Sequence, residues 1–262
     1  MSAEAVRTFR GLAEWLLTAD PDSPAWRLES RCPGWTNEDV LIHLACTLRE
    51  LVEPETLPTP VPGAIERTND VQVDAFRGGD SRFHLAEYRR LLPAALDVLE
   101  SLQSEDLADE TFSLDDAGVY PVHLSAEALA FDHYCHLAHD VTLGTALPPI
   151  PAELVEPALA ASTRWLVAGI PQMSGARLAE ALVTPVGLRI TGPGGGAWQL
   201  SASGAHVADC APADVLPPTV IETDAADFML WGTLRAERAT CAVILLGDAE
   251  LADAVAGTIH VY

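Results

Sequence analysis

The sequence predicts two architectures in series: a four-helix bundle over residues 1–148 and a small α+β domain over residues 149–262. Three observations carry this. Four long stretches before Pro148 place apolar residues at helical spacing, joined by short or irregular links. After Pro151 the texture changes to runs of β-formers punctuated by glycine. Between the two lies FDHYCHLAHDVTLG at 131–144, where Asp132, His136 and Asp140 fall four residues apart and so share one helix face.

The first helix is expected over residues 3–18, where Val6, Phe9, Leu12, Trp15 and Leu16 recur at helical spacing before Asp20-Pro21-Asp22 ends the run. A loop ending in Cys32-Pro33-Gly34-Trp35-Thr36 leads to the second, which a Thr36-x-x-Asp39 capping signal opens and which runs to about residue 52. Its buried face is Val40, Leu44, Leu48 and Leu51, with His43 beside them. Prolines 54, 58, 60 and 62 mark an irregular link, and residues 64–76 have a helical pattern that Gly78-Gly79 breaks. The third long helix begins at Ser81, read as its cap, and carries Leu85, Tyr88, Leu91, Leu92, Ala95, Leu96 and Leu99, with Pro93 as a kink. The fourth starts near Ser125 and is closed by Gly144.

In the second half a helix over 152–168 precedes strand-like segments at 186–191, 198–201, 206–210, 219–223 and 242–246. Helical patterns cover 225–237 and 249–256. The glycine-rich loop Gly192-Pro193-Gly194-Gly195-Gly196 has neither the Lys-Ser/Thr of a P-loop nor GxGxxG spacing before a helix, so it reads as a hairpin turn without chemistry.

Fifteen Lys and Arg against 38 Asp and Glu give a formal net charge of -23, which repels a phosphate backbone. Nucleic acid and anionic membrane surfaces are therefore not expected as partners. The N-terminal run MSAEAVRTFRGLAEW lacks the basic start and apolar core of a signal peptide, and the chain is expected to be cytoplasmic, as a monomer or homodimer. Five scattered cysteines without a CxxC pair fit reduced thiols, and Cys46 and Cys135 read as small buried hydrophobes.

Spacing alone leaves the 131–144 stripe with two readings, a site wall or a solvated face with incidental histidines. His43 alone reads as a core histidine.

The element PGWT-x-x-DV-x-x-HL, here Pro33 to Thr36, Asp39-Val40 and His43-Leu44, resembles the mycothiol-dependent maleylpyruvate isomerase family, within the wider DinB-like metalloproteins. Asp132 and His136, four apart on the fourth helix, and the close at Asp140 and Leu143-Gly144 are similar to that family's pattern. So are Asp224-Ala225-Ala226-Asp227, Leu230-Trp231-Gly232 and Leu246 to Leu251, which resemble its sterol-carrier-like second domain. Two positions depart from it. Asp132 stands where the family commonly has Glu and reaches about one methylene less far, and the family's aspartate three residues after the histidine is here His139, with Asp140 one later.

The resemblance implies a divalent metal, zinc first, on His43, Asp132 and His136, and mycothiol as thiol cosubstrate. Two imidazoles and a carboxylate leave an open position on such a metal for a thiol, held as the nucleophilic thiolate. It further implies isomerisation or S-transfer on a small electrophilic substrate bearing a carboxylate. His139 and Asp140 are expected as orienting groups or general acids, and Arg235 as a clamp for the substrate carboxylate. The alternatives are a metal-dependent hydrolase or lyase in a biosynthetic pathway, and a binding module without catalysis for a small ligand.

Overall fold

Helical spacing of apolar residues becomes a bundle because each stripe needs a partner to bury it. In the structure, a computed structural model that describes residues 3–204 and 207–261, the chain divides into two compact units. The first comprises residues 1–116 and 121–158, the second residues 117–120 and 159–262. Among the described residues no helix is long and apolar enough to cross a membrane.

The first unit is built on helices α1 (Ala3–Leu16), α2 (Asn37–Val52), α3 (Ile65–Phe76), α4 (Ser81–Ser101) and α5 (Ser125–Cys135). Helices α1, α2, α4 and α5 form the predicted four-helix bundle, with α2 against α4 and α1 against α5, while α3 lies on α2. The seam holds Phe9, Leu12 and Leu16 of α1, Leu41, Leu44 and Leu48 of α2, and Tyr88, Leu91 and Leu99 of α4, all essentially inaccessible to solvent. Burial of such side chains contributes about 1.5–3 kcal/mol each. Ser81 does not cap α4. Asp80 does, accepting from the Phe83 N–H, while the Ser81 hydroxyl donates to the Pro21 carbonyl. Pro93 sits inside a helix that continues to Ser101.

The fourth predicted helix differs more. Its α-helical part ends at Cys135, and residues His136–Asp140 form a single π-helical turn closed by the Val141 N–H on the His136 carbonyl. Apolar residues at 134, 137 and 141 suit either winding, so the pattern does not distinguish them. Two short strands, β1 (Thr111–Ser113) and β2 (Val119–Pro121), carry no sequence signal above that of a polar loop. Helix α6 (Ala152–Met173) follows, running five residues beyond its predicted end at 168.

The second unit, of which α6 supplies residues 159–173, contains α7 (Gly175–Ala181) and strands β3 (Val186–Thr191), β4 (Gly196–Ala202), β5 (Ala208–Pro212), β6 (Val220–Asp224) and β7 (Val243–Leu246). Helices α8 (Ala225–Gly232) and α9 (Ala249–Ala256) complete it. His206 of the predicted strand 206–210 lies outside the described residues. The sheet order is β5-β4-β3-β6-β7, antiparallel except for β3 beside β6. Val186, Leu188 and Ile190 of the central strand are buried, and Arg189 points outward to Glu222 at 2.8 Å. The glycine loop is the expected β3–β4 hairpin. Gly194 takes φ +67°, and a Cβ there would stand 2.5 Å from the Ala160 carbonyl of α6. Helix α8 stops at Gly232 instead of 237, because Leu234 turns to φ +58° and the Arg235 and Ala236 N–H groups fold back onto the Leu230 carbonyl.

Candidate metal centre

The phase of α2 is set at its first turn. Thr36 Oγ1 accepts from the Asp39 N–H at 3.2 Å and Asp39 Oδ2 accepts from the Thr36 N–H at 2.8 Å, the reciprocal box the sequence signals. Seven residues after the cap, His43 is 5% exposed, with its ring 5.2 Å from the Trp35 ring. Asp132 on α5 and His136, the first residue of the π turn that follows, lie one turn apart, and both stand beside His43 of α2.

Asp132 Oδ1 stands 3.2 Å from His43 Nε2 and 3.4 Å from His136 Nε2. The three donor atoms lie within 4.8 Å of one another, and the two imidazole rings meet edge to face at 5.1 Å. Two atoms that each bind zinc at about 2.0–2.1 Å in a tetrahedron are about 3.3–3.4 Å apart, close to the 3.2 and 3.4 Å from Asp132 Oδ1 to the two imidazole nitrogens. Asp132 Oδ2 is buried without a hydrogen-bond partner, and so is His43 Nδ1. Donor types, spacing and an orphaned carboxylate oxygen all fit a divalent ion.

The other nitrogen of His136 is committed. Nδ1 is 2.8 Å from Asp140 Oδ2 and 3.6 Å from Cys32 Sγ, and these three residues form a second donor set that shares the His136 ring. An Nδ1–H donated to the Asp140 carboxylate leaves the lone pair on Nε2, facing Asp132 and His43. The π turn keeps Asp140 within reach of His136, and two links to the 30–37 loop hold it there. The Arg31 N–H donates to the Asp140 carbonyl at 2.8 Å, and the buried Asn37 accepts from the Thr142 N–H at 2.9 Å and donates to its hydroxyl at 3.2 Å. Neither Cys32 nor Asn37 is singled out by sequence reasoning. Cys32 stands 104 residues from His136, and no local spacing announces a pair so distant.

His133, whose Nδ1 lies 3.7 Å from Asp132 Oδ2, is not a free ligand. It is fully buried, Nδ1–H donates to the Leu129 carbonyl at 2.9 Å, and Nε2 therefore accepts from the Tyr88 hydroxyl at 2.8 Å. Burial lowers its pKa to about 4, so it is neutral. Tyr88→Phe leaves that Nε2 without a partner inside the core and is expected to lower stability by about 1–3 kcal/mol. Urea unfolding should show the midpoint falling at unchanged slope.

Burial works against charge on Asp132 and His136, and their neighbours more than offset it. His43 and His136 hold the Asp132 carboxyl well below its usual range, while Asp132, Asp140 and Cys32 raise His136 well above an ordinary imidazole. A metal-free cluster thus keeps a proton on His136 that a metal must displace.

His139 packs edge to face on Tyr134, with ring centroids 5.9 Å apart, and belongs to neither donor set among the described residues. Arg235 is in the second unit, half-buried in the turn after α8 and not on a helix. His43, Asp132, His136 and Asp140 are the predicted residues that come together.

Residues 10–141 match the protein family described as the mycothiol maleylpyruvate isomerase N-terminal domain. Among solved structures, the chain is similar to the mycothiol-dependent maleylpyruvate isomerase, at 17% identity and a TM-score of 0.49, over 92% of this chain and 90% of that one. It is also similar to a histidine-to-alanine mutant described by the same name, at 16% identity and a TM-score of 0.47 over the same shares. No curated protein matches the sequence.

Proposed function

Because the chain belongs to the family of the mycothiol maleylpyruvate isomerase N-terminal domain, we propose that it is a metal-dependent enzyme that activates mycothiol for attack on a small electrophile. The electrophile carries a carboxylate, and the outcome is isomerisation or S-transfer. The observation that carries the reading is the convergence of His43 Nε2, Asp132 Oδ1 and His136 Nε2 within 4.8 Å.

These three residues would hold the ion, with zinc the natural choice for two imidazoles and a carboxylate. When bound, such an ion supplies Lewis acidity that lowers a thiol's pKa and keeps it as thiolate. The residues of the chain do the rest. Asp140 is a positioning residue: it accepts the His136 Nδ1–H and so directs Nε2. Asp132 is the more accessible member of the pair, its side chain 23% exposed against 7% for that of His43.

The thiolate sulfur forms a bond to the electrophilic carbon, and the π electrons of the double bond move to the adjacent carbon. Rotation about the resulting single bond, then loss of the thiolate with return of the electron pair, gives the isomer. If the adduct instead takes up a proton, the C–S bond remains.

The test is turnover of maleylpyruvate by the purified chain, with and without mycothiol and after chelation. The reading predicts a rate that requires the thiol, disappears with chelator and returns with zinc. Turnover without thiol would overturn it.

A further inference from the structure

The first turns of α2 also line a concave feature of the first unit that holds none of the metal-donor residues. It is a cleft of about 400 Å³ between the start of α2, the Arg77-Gly78-Gly79 turn and the start of α4. Two of its lining residues carry a buried side-chain polar atom without a partner. His84 is 3% exposed and its Nε2 has no hydrogen-bond partner, and Glu38 Oε1 is likewise buried and unpaired. The imidazole presents its Cε1 edge to the cleft floor, since a Cβ on Gly79 would stand 3.2 Å from that atom. Buried polar atoms left without partners in a folded protein mark places where something else supplies the hydrogen bonds.

The chemistry of the lining narrows what that is. Arg77 is already engaged, by Asp39 at 2.7 Å and Asp74 at 2.5 Å, and the Glu38 carboxyl adds a further acidic group to the lining, which disfavours an anion. Ile42 is the apolar contribution to a wall otherwise polar or glycine, which disfavours a greasy ligand. No third histidine, cysteine or carboxylate joins His84 and Glu38 in a donor set among the described residues, which disfavours a metal ion. What suits a neutral imidazole nitrogen and a carboxylate oxygen together is a cluster of hydroxyls, each able to donate or accept. Burial lowers the His84 pKa and raises that of Glu38, which keeps the imidazole uncharged.

We propose that this cleft binds the polyhydroxylated end of the thiol cosubstrate, its sugar portion, while the thiol end reaches the metal donors. The inference rests on the thiol reading above. The two places are adjoining: Gly34 and Thr36 line the cleft on either side of Trp35, whose ring lies over His43, and Ile42 precedes His43 in α2. Gly78 leaves open the space a side chain would fill.

The experiment is calorimetric titration of the full chain with the thiol-free pseudodisaccharide, glucosaminyl-inositol, for wild type, Glu38→Gln and His84→Leu. Metal content is measured on each protein. Binding to wild type that weakens about tenfold in each variant, with metal content unchanged, supports the cleft. Equal binding by all three proteins, or no binding by a wild type that holds metal and turns over with intact mycothiol, overturns it. Should His84→Leu misfold, the isosteric Glu38→Gln change at a half-buried position still decides between these results. His43→Ala separates the two proposals, because it removes the metal site and leaves the cleft: sugar binding that persists in it while turnover is absent in wild type would sink the thiol reaction alone.

Discussion

His136→Ala is expected to give a folded chain that retains no divalent ion. His136 contributes to both donor sets, through Nε2 to His43 and Asp132 and through Nδ1 to Cys32 and Asp140, so its removal leaves neither with three donors. Two remaining donors, one of them a carboxylate only partly shielded from water, do not hold a borderline metal against solvent. The bundle does not depend on this side chain. Its seam is Phe9, Leu12, Leu44, Leu48, Leu91 and their neighbours, each buried against another helix. Circular dichroism should therefore show wild-type helicity, with the stability contributed by metal binding lost. A variant that unfolds outright would place His136 in the core and not in a site.

The second largest effect is expected at Asp140. Its carboxylate accepts the His136 Nδ1–H at 2.8 Å from a nearly inaccessible position, and partners of ligand histidines typically matter by about 10–100-fold in metal affinity. Asp140→Ala should fall in that range, and Asp140→Asn should lose less because its amide oxygen still accepts the hydrogen bond. Competition against a chelator of known affinity measures both. An Asp140→Ala chain that binds metal like wild type would remove the positioning role.

Much of the first unit was legible because its signals are local. Thr36 and Asp39 stand three residues apart and form the cap they imply. Leu44 and Leu48, one turn apart, share the seam, and Asp132 and His136 are neighbours on one face for the same reason. Helix α9 begins and ends where its pattern does, at Ala249 and Ala256. What was not legible depends on contacts distant in sequence or on backbone conformations that leave no residue signature. Cys32 approaches His136 only because the 30–37 loop is tied to residues 140–142 by Arg31 and Asn37. The π turn follows the same apolar pattern as an α-helix, and the left-handed Leu234 that ends α8 is not a residue type that announces such a turn. The cleft at His84 is assembled from three segments, none of which carries a motif for it.

The central claim is that His43, Asp132 and His136 together hold one ion. Elemental analysis of purified wild type and His136→Ala, both equilibrated with zinc and then freed of loose metal, tests it most directly. The account predicts about one ion per wild-type chain and none in the variant. Equal metal in both, or none in either, would contradict it.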